Sequence, residues 1–293
     1  MFSAHRIASL ALPELAPYRT LKRSAEHEAQ GIFVAEGDKV VRRLLESGFG
    51  VSSVLLLETR LAEFEPLLHA RPEPDIPVYV ATQKSILEEL IGFELFQGVL
   101  AIGKIPATPT LKTVFAASPP PRFFVALDEL SNAENIGALV RNCAAFGVQA
   151  LLVGETSSSP FLRRAVRNSM GAIFQLPVVE LNRQRSKLAD PAKPRRRDEP
   201  TVTLAMTLQE LRAQGMRCVA AHPHTSGKTL SQADFAGDCC IVFGSEGHGI
   251  SEAVLAACDE AVAIPMANGV DSLNVGAAAA AFFYEVNRQR GKS

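Results

Sequence analysis

Short apolar runs alternate with helix-length amphipathic segments along most of this chain. Before residue 106, Gly31-Ile32-Phe33-Val34-Ala35-Glu36-Gly37 reads as a short strand ending in a glycine turn. Asp38 is placed to cap a helix over 39–47, with Val40, Val41, Leu44 and Leu45 as its apolar stripe. Further strands are expected over 51–57, 78–81 and 97–102, so strands and helices alternate as in a small α/β sandwich. From residue 122 the strands lengthen: 123–127, 150–153, 217–221, 239–243 and 261–264 are apolar and separated by helix-length segments. Near-continuous apolar strands of this kind predict a mostly parallel sheet covered on both faces. Ligands of such sheets sit beyond the carboxyl ends of the strands, where Asn135 and the glycine cluster at 244–249 both fall.

Two polar stretches interrupt the pattern. Residues 106–121 hold five prolines (Pro106, Pro109, Pro119, Pro120 and Pro121) and read as a linker between a domain over 1–105 and another over 122–293. The stretch 182–200 is basic, broken by proline and almost devoid of large apolar residues, which predicts a mobile surface loop, either solvated or an RNA-contacting arm that orders on binding.

Composition narrows the class. With 293 residues, 47% hydrophobic and 21% charged, the chain reads as a soluble globular protein of two ordinary domains. The uncharged run Ser272 to Tyr284 is too short and too rich in alanine to span a bilayer, so no membrane partner is expected. Pro13 and Pro17 interrupt any amphipathic helix at the N-terminus early, and a cytoplasmic location is expected. The five cysteines show no C-x-x-C spacing; buried free thiols are expected rather than zinc or any other metal. A net charge of −1 confines nucleic-acid contacts to local patches. The candidates are Arg19, Lys22 and Arg23; Arg42 and Arg43; and Arg163, Arg164 and Arg167, each of which also reads as a solvated helix face.

Three segments carry possible chemistry, each where a strand gives way to a helix. In Gly244-Ser245-Glu246-Gly247-His248-Gly249 the glycines let backbone approach a ligand. The cluster follows the fourth strand of its domain and is not G-x-G-x-x-G, so a nicotinamide-dinucleotide domain reads poorly. Glu246 fits either a carboxylate at a helix start or a group aimed at substrate. Arg141 stands six residues after Asn135 in an otherwise apolar helix; it snorkels over the surface or turns inward to hold a phosphate or oxyanion. Both residues reach the strand-end crevice only if Asn135 is the helix cap. Ser272 and Asn274 bracket Leu273 just before an alanine-rich helix over 275–287; they cap it or serve the site, and its alanine face fits either a subunit contact or close packing under a neighbouring segment.

In this order, Asn135/Gly137/Arg141, Gly244/Glu246/Gly247/Gly249, and Ile264-Pro265-Met266 with Ser272-Leu273-Asn274-Val275 resemble the three motifs of the SpoU/TrmH family of RNA ribose 2′-O-methyltransferases, across 122–290. Phe33-Val34-Ala35-Glu36-Gly37 and Gln97-Gly98-Val99 resemble the family's N-terminal substrate-binding domain, itself similar to small ribosomal RNA-binding proteins. The resemblance implies an α/β fold with a C-terminal trefoil knot, S-adenosylmethionine (SAM) held by Gly244, Gly249, Ile264 and Leu273, and a homodimer. It implies transfer of the SAM methyl to a ribose 2′-hydroxyl, ribosomal RNA being expected before transfer RNA. Arg141 becomes the central catalytic group, with Asn135, Glu246, Ser272 and Asn274 fixing its orientation. A guanidinium with a pKa above about 12 stays protonated, so its expected role is to polarise the hydroxyl and hold the adjacent phosphate. The chain departs from the family at Gly276, where serine is common, and at 182–200. A non-catalytic RNA-binding or assembly factor of the same fold is the alternative.

Overall fold

The computed structural model of the chain describes residues 2–91, 98–181, 202–223 and 227–291; the expected insertion at 182–200 and Gln97 lie outside them. By contact the chain divides into two compact units, Met1–Ala107 with Pro160–Gln175, and Thr108–Ser159 with Leu176–Ser293.

The described residues of the first unit form a five-stranded mixed sheet. Its strands are β1 (Phe2–Ile7), β2 (Ile32–Glu36), β3 (Val51–Leu57), β4 (Ile76–Ala81) and β5 (Val99–Lys104), ordered β1-β4-β3-β5-β2. β4 runs parallel to β1 and β3, while β5 is antiparallel to β3 and β2. The apolar runs behave as their pattern predicts. β1 does not announce itself, because an edge strand with exposed Ala4, His5 and Arg6 lacks a buried run. The helix after β2 spans Asp38–Glu46 and buries the expected Val40, Val41, Leu44 and Leu45, but Gly37, at φ 95°, holds the cap position. Asp38 lies inside the first turn, and its carboxylate pairs with Arg42 at 3.0 Å and with Arg60.

Segment 160–175 belongs to this unit although the linker-based boundary puts it in the second. Phe161 and Phe174 lie 5.8 and 5.6 Å from Phe33, centroid to centroid, and Phe174 lies 5.4 Å from Phe49. Phe33, at 1% exposure, is buried by aromatic rings contributed from far along the chain. Burying one such ring contributes roughly 1.5–3 kcal/mol.

A second fastening of this unit has a measurable pH signature. Arg71, buried, donates to the carbonyls of Leu45 (2.9 Å), Ser47 (2.6 Å) and Phe49 (2.7 Å) and to Glu73 Oε1 (2.7 Å). The bonds from Arg71, helped by the Val51 N–H, hold the Glu73 carboxyl down at about 2, against an ordinary 4.5. A depressed carboxyl stabilises the fold above its unfolded pKa and ceases to as pH falls through the folded one. The advantage of the wild type over Glu73→Gln in thermal midpoint is therefore expected to be full above pH 4.5 and to shrink toward about pH 2. A difference constant across that window refutes the linkage.

The described residues of the second unit form a seven-stranded, wholly parallel sheet. It comprises β6 (Phe123–Leu127), β7 (Ala150–Val153), β8 (Val178–Glu180), β9 (Arg217–Ala221), β10 (Lys228–Thr229), β11 (Cys239–Phe243) and β12 (Glu260–Ala263). The order is β10-β12-β9-β11-β6-β7-β8, the covered parallel sheet that the apolar runs predict. Four of these strands fall where they are expected to the residue; β8 and β10 are too short to stand out. The proline-rich stretch is not an open tether. Its prolines lie at the ends, leaving Leu111–Ala117 free to form a helix capped by Thr110, whose Oγ1 accepts from Thr113 N at 3.1 Å. Leu111 and Val114 enter the core of the unit.

The cysteines are free; Cys143, Cys218, Cys239 and Cys240 are buried and Cys258 partly so. Burial pushes the Cys239 and Cys258 thiols up to about 12. Among the described residues, no helix is long and apolar enough to cross a membrane.

Candidate functional site

The site grows from three strand ends of the second unit. After β6, Asn132 caps the helix Ala133–Ala145: its Oδ1 accepts from the N–H groups of Glu134 (2.8 Å) and Asn135 (3.2 Å). The cap is therefore Asn132, and Asn135 occupies the third position of the helix. After β11 the chain folds into a tight loop in which Ser245 and Gly249 exchange both backbone hydrogen bonds, each 2.9 Å. A Cβ on Gly244 would stand 2.2 Å from the Gly249 carbonyl carbon and oxygen, so only glycine fits there. After β12, Asn274 caps the C-terminal helix Val275–Gln289, its Oδ1 accepting from Gly276 N at 2.9 Å.

These ends are joined side chain to side chain. Asn135 Nδ2 donates to Glu246 Oε1, and Asn135 Oδ1 accepts from Asn274 Nδ2 at 2.9 Å. A carboxylate only accepts and a backbone N–H only donates, so the relay Glu246–Asn135–Asn274–Gly276 admits one orientation of both amides. Asn142, two turns beyond Asn135 on the same face, donates to Gly276 O at 2.6 Å. Gly276 suits this contact, since a Cβ there would lie 3.2 Å from both Ala138 Cβ and Asn274 Oδ1. The departure from serine thus sits where the two helices approach each other.

A cavity of about 400 Å³ opens beyond the carboxyl ends of β9, β11 and β12, the position that open α/β sheets favour for ligands. Gly244, Gly249, Ile264 and Leu273 line it, as do Glu246, Ser272 and Asn274. The cradle suits SAM: it is large enough, and at Gly244 its wall is bare backbone. Sequence reasoning misses His222 and Pro223, which line the cavity just past β9; applying the strand-end rule to 217–221 would have found them.

Arg141 stands apart. It is exposed and makes no hydrogen bond or ion pair with a described residue. Within the chain none of Asn135, Glu246, Ser272 and Asn274 bonds to it. Asn135 bonds to both Glu246 and Asn274, and Ser272 faces the cavity. Six residues at about 100° each turn Arg141 roughly 120° away from Asn135 around the helix.

The basic candidates, all in the first unit, also divide. Glu36, 6% exposed, pairs with Arg163 at 2.6 Å and Arg167 at 3.0 Å, because it ends β2 against their helix. Arg23 pairs with Glu26 and Arg42 with Asp38 and Glu63, while Arg43 donates to Met170 O and Arg19 to Leu12 O. Lys22 and Arg164 are exposed without a partner among the described residues.

Comparison with known proteins gives the same picture. The model of the SpoU rRNA Methylase family matches residues 122–194 and 199–284. The chain is 34% identical over 284 residues to the uncharacterized tRNA/rRNA methyltransferase Rv0881 of Mycobacterium tuberculosis strain ATCC 25618 / H37Rv, covering 94% of this chain and 89% of that protein. Among solved structures, an RNA 2′-O ribose methyltransferase superposes with a TM-score of 0.74 at 25% identity, covering 98% of this chain and 99% of the other. The AdoMet-bound rRNA methyltransferase from Sinorhizobium meliloti gives 0.77 at 21%, covering 97% and 98%, a likeness of fold. With its parallel sheet, its strand-end cavity and its three motif segments gathered there, the chain belongs to the SpoU rRNA methylase family of RNA methyltransferases, whose methyl donor is SAM.

Proposed function

We propose that this protein methylates a ribose 2′-hydroxyl of ribosomal RNA, acting as a homodimer in the cytoplasm. The observation that carries the reading is the relay Glu246–Asn135–Asn274, fixed at the wall of a cavity of the right size and place for SAM. When bound, SAM supplies an electrophilic methyl group. The rest falls to the chain: an alcohol is a poor nucleophile until its proton is drawn away, so the site must steady a developing alkoxide. Arg141 does this from the exposed face of its helix, with a charge that no described carboxylate neutralises, and it also holds the neighbouring phosphate. Glu246, Asn135 and Asn274 hold the cavity wall in shape, and Ser272 contacts the substrate ribose.

The dimer is supported by apolar surface around the site. Val270 and Leu273 are 52% and 42% exposed, and Tyr284, on the same helix as Ala277 to Ala281, is 57% exposed. Arg141 meets its substrate at that subunit contact. RNA phosphates are contacted by Lys22, Arg164 and Arg19, the last of which binds carbonyls and keeps its charge. The same reading takes the C-terminal segment as threaded into a trefoil knot, on the likeness of fold to the RNA 2′-O ribose methyltransferase.

The test is transfer of labelled methyl from SAM into separate rRNA and tRNA pools lacking the modification. Label in rRNA, carried by a 2′-O-methyl nucleoside after digestion, is the expected result. Label confined to tRNA overturns the substrate, and label on a base overturns the ribose. SAM binding without transfer to either pool overturns the proposed reaction on these RNAs in favour of a binding or assembly role.

A further inference from the structure

Asp128 takes no part in the relay, yet it holds the cofactor loop at its root. It directly follows β6 and is 4% exposed. Its N–H donates to the carbonyl of Phe243 (2.9 Å), the last residue of β11. Its Oδ2 accepts from the N–H of Ser251 at 2.7 Å. Between Phe243 and Ser251 lies the loop 244–250, of which Gly244, Glu246 and Gly249 line the cavity. One residue therefore ties both feet of the loop, while Asn135 ties its tip through Glu246.

We propose that Asp128 is a positioning residue for SAM: it fixes the width of the loop's base and so the line of backbone against which the cofactor lies. A hydrogen bond to a charged, buried acceptor is among the stronger ones. Without it the loop keeps its internal Ser245–Gly249 pairing and its Phe243 foot, but the Ser251 foot is no longer tied to the end of β6. The consequence falls on affinity, because the residues proposed to meet the ribose are elsewhere. A purely structural role would lower the melting temperature and leave SAM affinity of the folded protein unchanged.

The proposal rests on the cavity being the SAM site, and calorimetry with the full chain separates the two. Wild type that binds no SAM refutes the cavity assignment. If wild type binds, Asp128→Ala is expected to weaken SAM about tenfold, or about 1.4 kcal/mol, and Asp128→Asn, which keeps an acceptor oxygen, by less than about threefold. Replacing the Ile250–Ser251 peptide bond by an ester, through the α-hydroxy acid analogue of serine at position 251, deletes the N–H donor, adds no atom and leaves the Asp128 side chain in place. Ser251 makes no side-chain cap, so the ester variant disturbs little else, and it carries the test should Asp128→Ala fail to fold. It is expected to match Asp128→Ala, and the double variant to be no weaker than either single change. At saturating SAM, kcat on RNA is expected to change far less than KM for SAM. Folded Asp128→Ala or ester variant with wild-type SAM affinity overturns the clamp, as does full additivity in the double variant.

Discussion

Arg141→Ala is expected to lower methyl transfer by about 10²–10³-fold, the cost of removing one preorganised charge from a developing oxyanion, with SAM affinity unchanged. The asymmetry follows from position. Arg141 is exposed, lies on the helix face turned away from Asn135 and does not line the cavity, so the cofactor does not depend on it. Arg141→Lys is expected to recover part of the rate, because an ammonium restores charge but not the planar fork that grips phosphate and hydroxyl together. Single-turnover rates at saturating SAM and RNA measure both. Full activity in Arg141→Ala would remove it from the chemistry, and equal losses in rate and SAM affinity would make it a structural residue of the cavity.

Gly244→Ala is expected to weaken SAM binding by about 10- to 100-fold, the effect of roughly 1–3 kcal/mol of overpacking. The added methyl would meet main chain rather than a side chain that can swing aside: Gly249 C and O at 2.2 Å and Ile250 N at 2.4 Å. Relief requires opening the paired Ser245–Gly249 turn. Gly247, in the same loop, has open space around it, so Gly247→Ala is expected to fold with a wild-type melting temperature. Calorimetry on Gly244→Ala decides the matter, and unaltered SAM affinity would mean that the loop is not the cofactor's cradle.

The second unit was largely legible because a parallel sheet covered on both faces writes each strand as an uninterrupted apolar run. β6, β7, β9 and β11 match their runs to the residue, and the site was legible because its three motif segments each follow such a strand. What stayed hidden depends on contacts distant in sequence. Nothing local to Phe161 or Phe174 says that they pack on Phe33, and nothing near Arg163 names Glu36 as its partner. Asn132 and Asn135 are both good capping residues, and the sequence does not decide between them. The separation of Arg141 from the relay was available in principle from helical spacing alone. Arg141 and Asn135 stand close in sequence, but sequence order says nothing about which way each faces.

The displaced segment 160–175 also sets a schedule for synthesis. Residues 1–107 leave the ribosome with Phe33 and Phe49 uncovered, since the rings that pack on them arrive only with Phe161 and Phe174. At about 5–20 residues per second, some 70 further residues take roughly 3–14 s to appear. Throughout that interval Phe33 and Phe49 lack the Phe161 and Phe174 rings that cover them in the folded chain. The second unit meanwhile cannot close its own sheet, because β9 to β12 are still unmade. The first unit therefore completes only when residue 175 has been made, long after its own strands, and the second later still, once β9 to β12 and the C-terminal helix have followed.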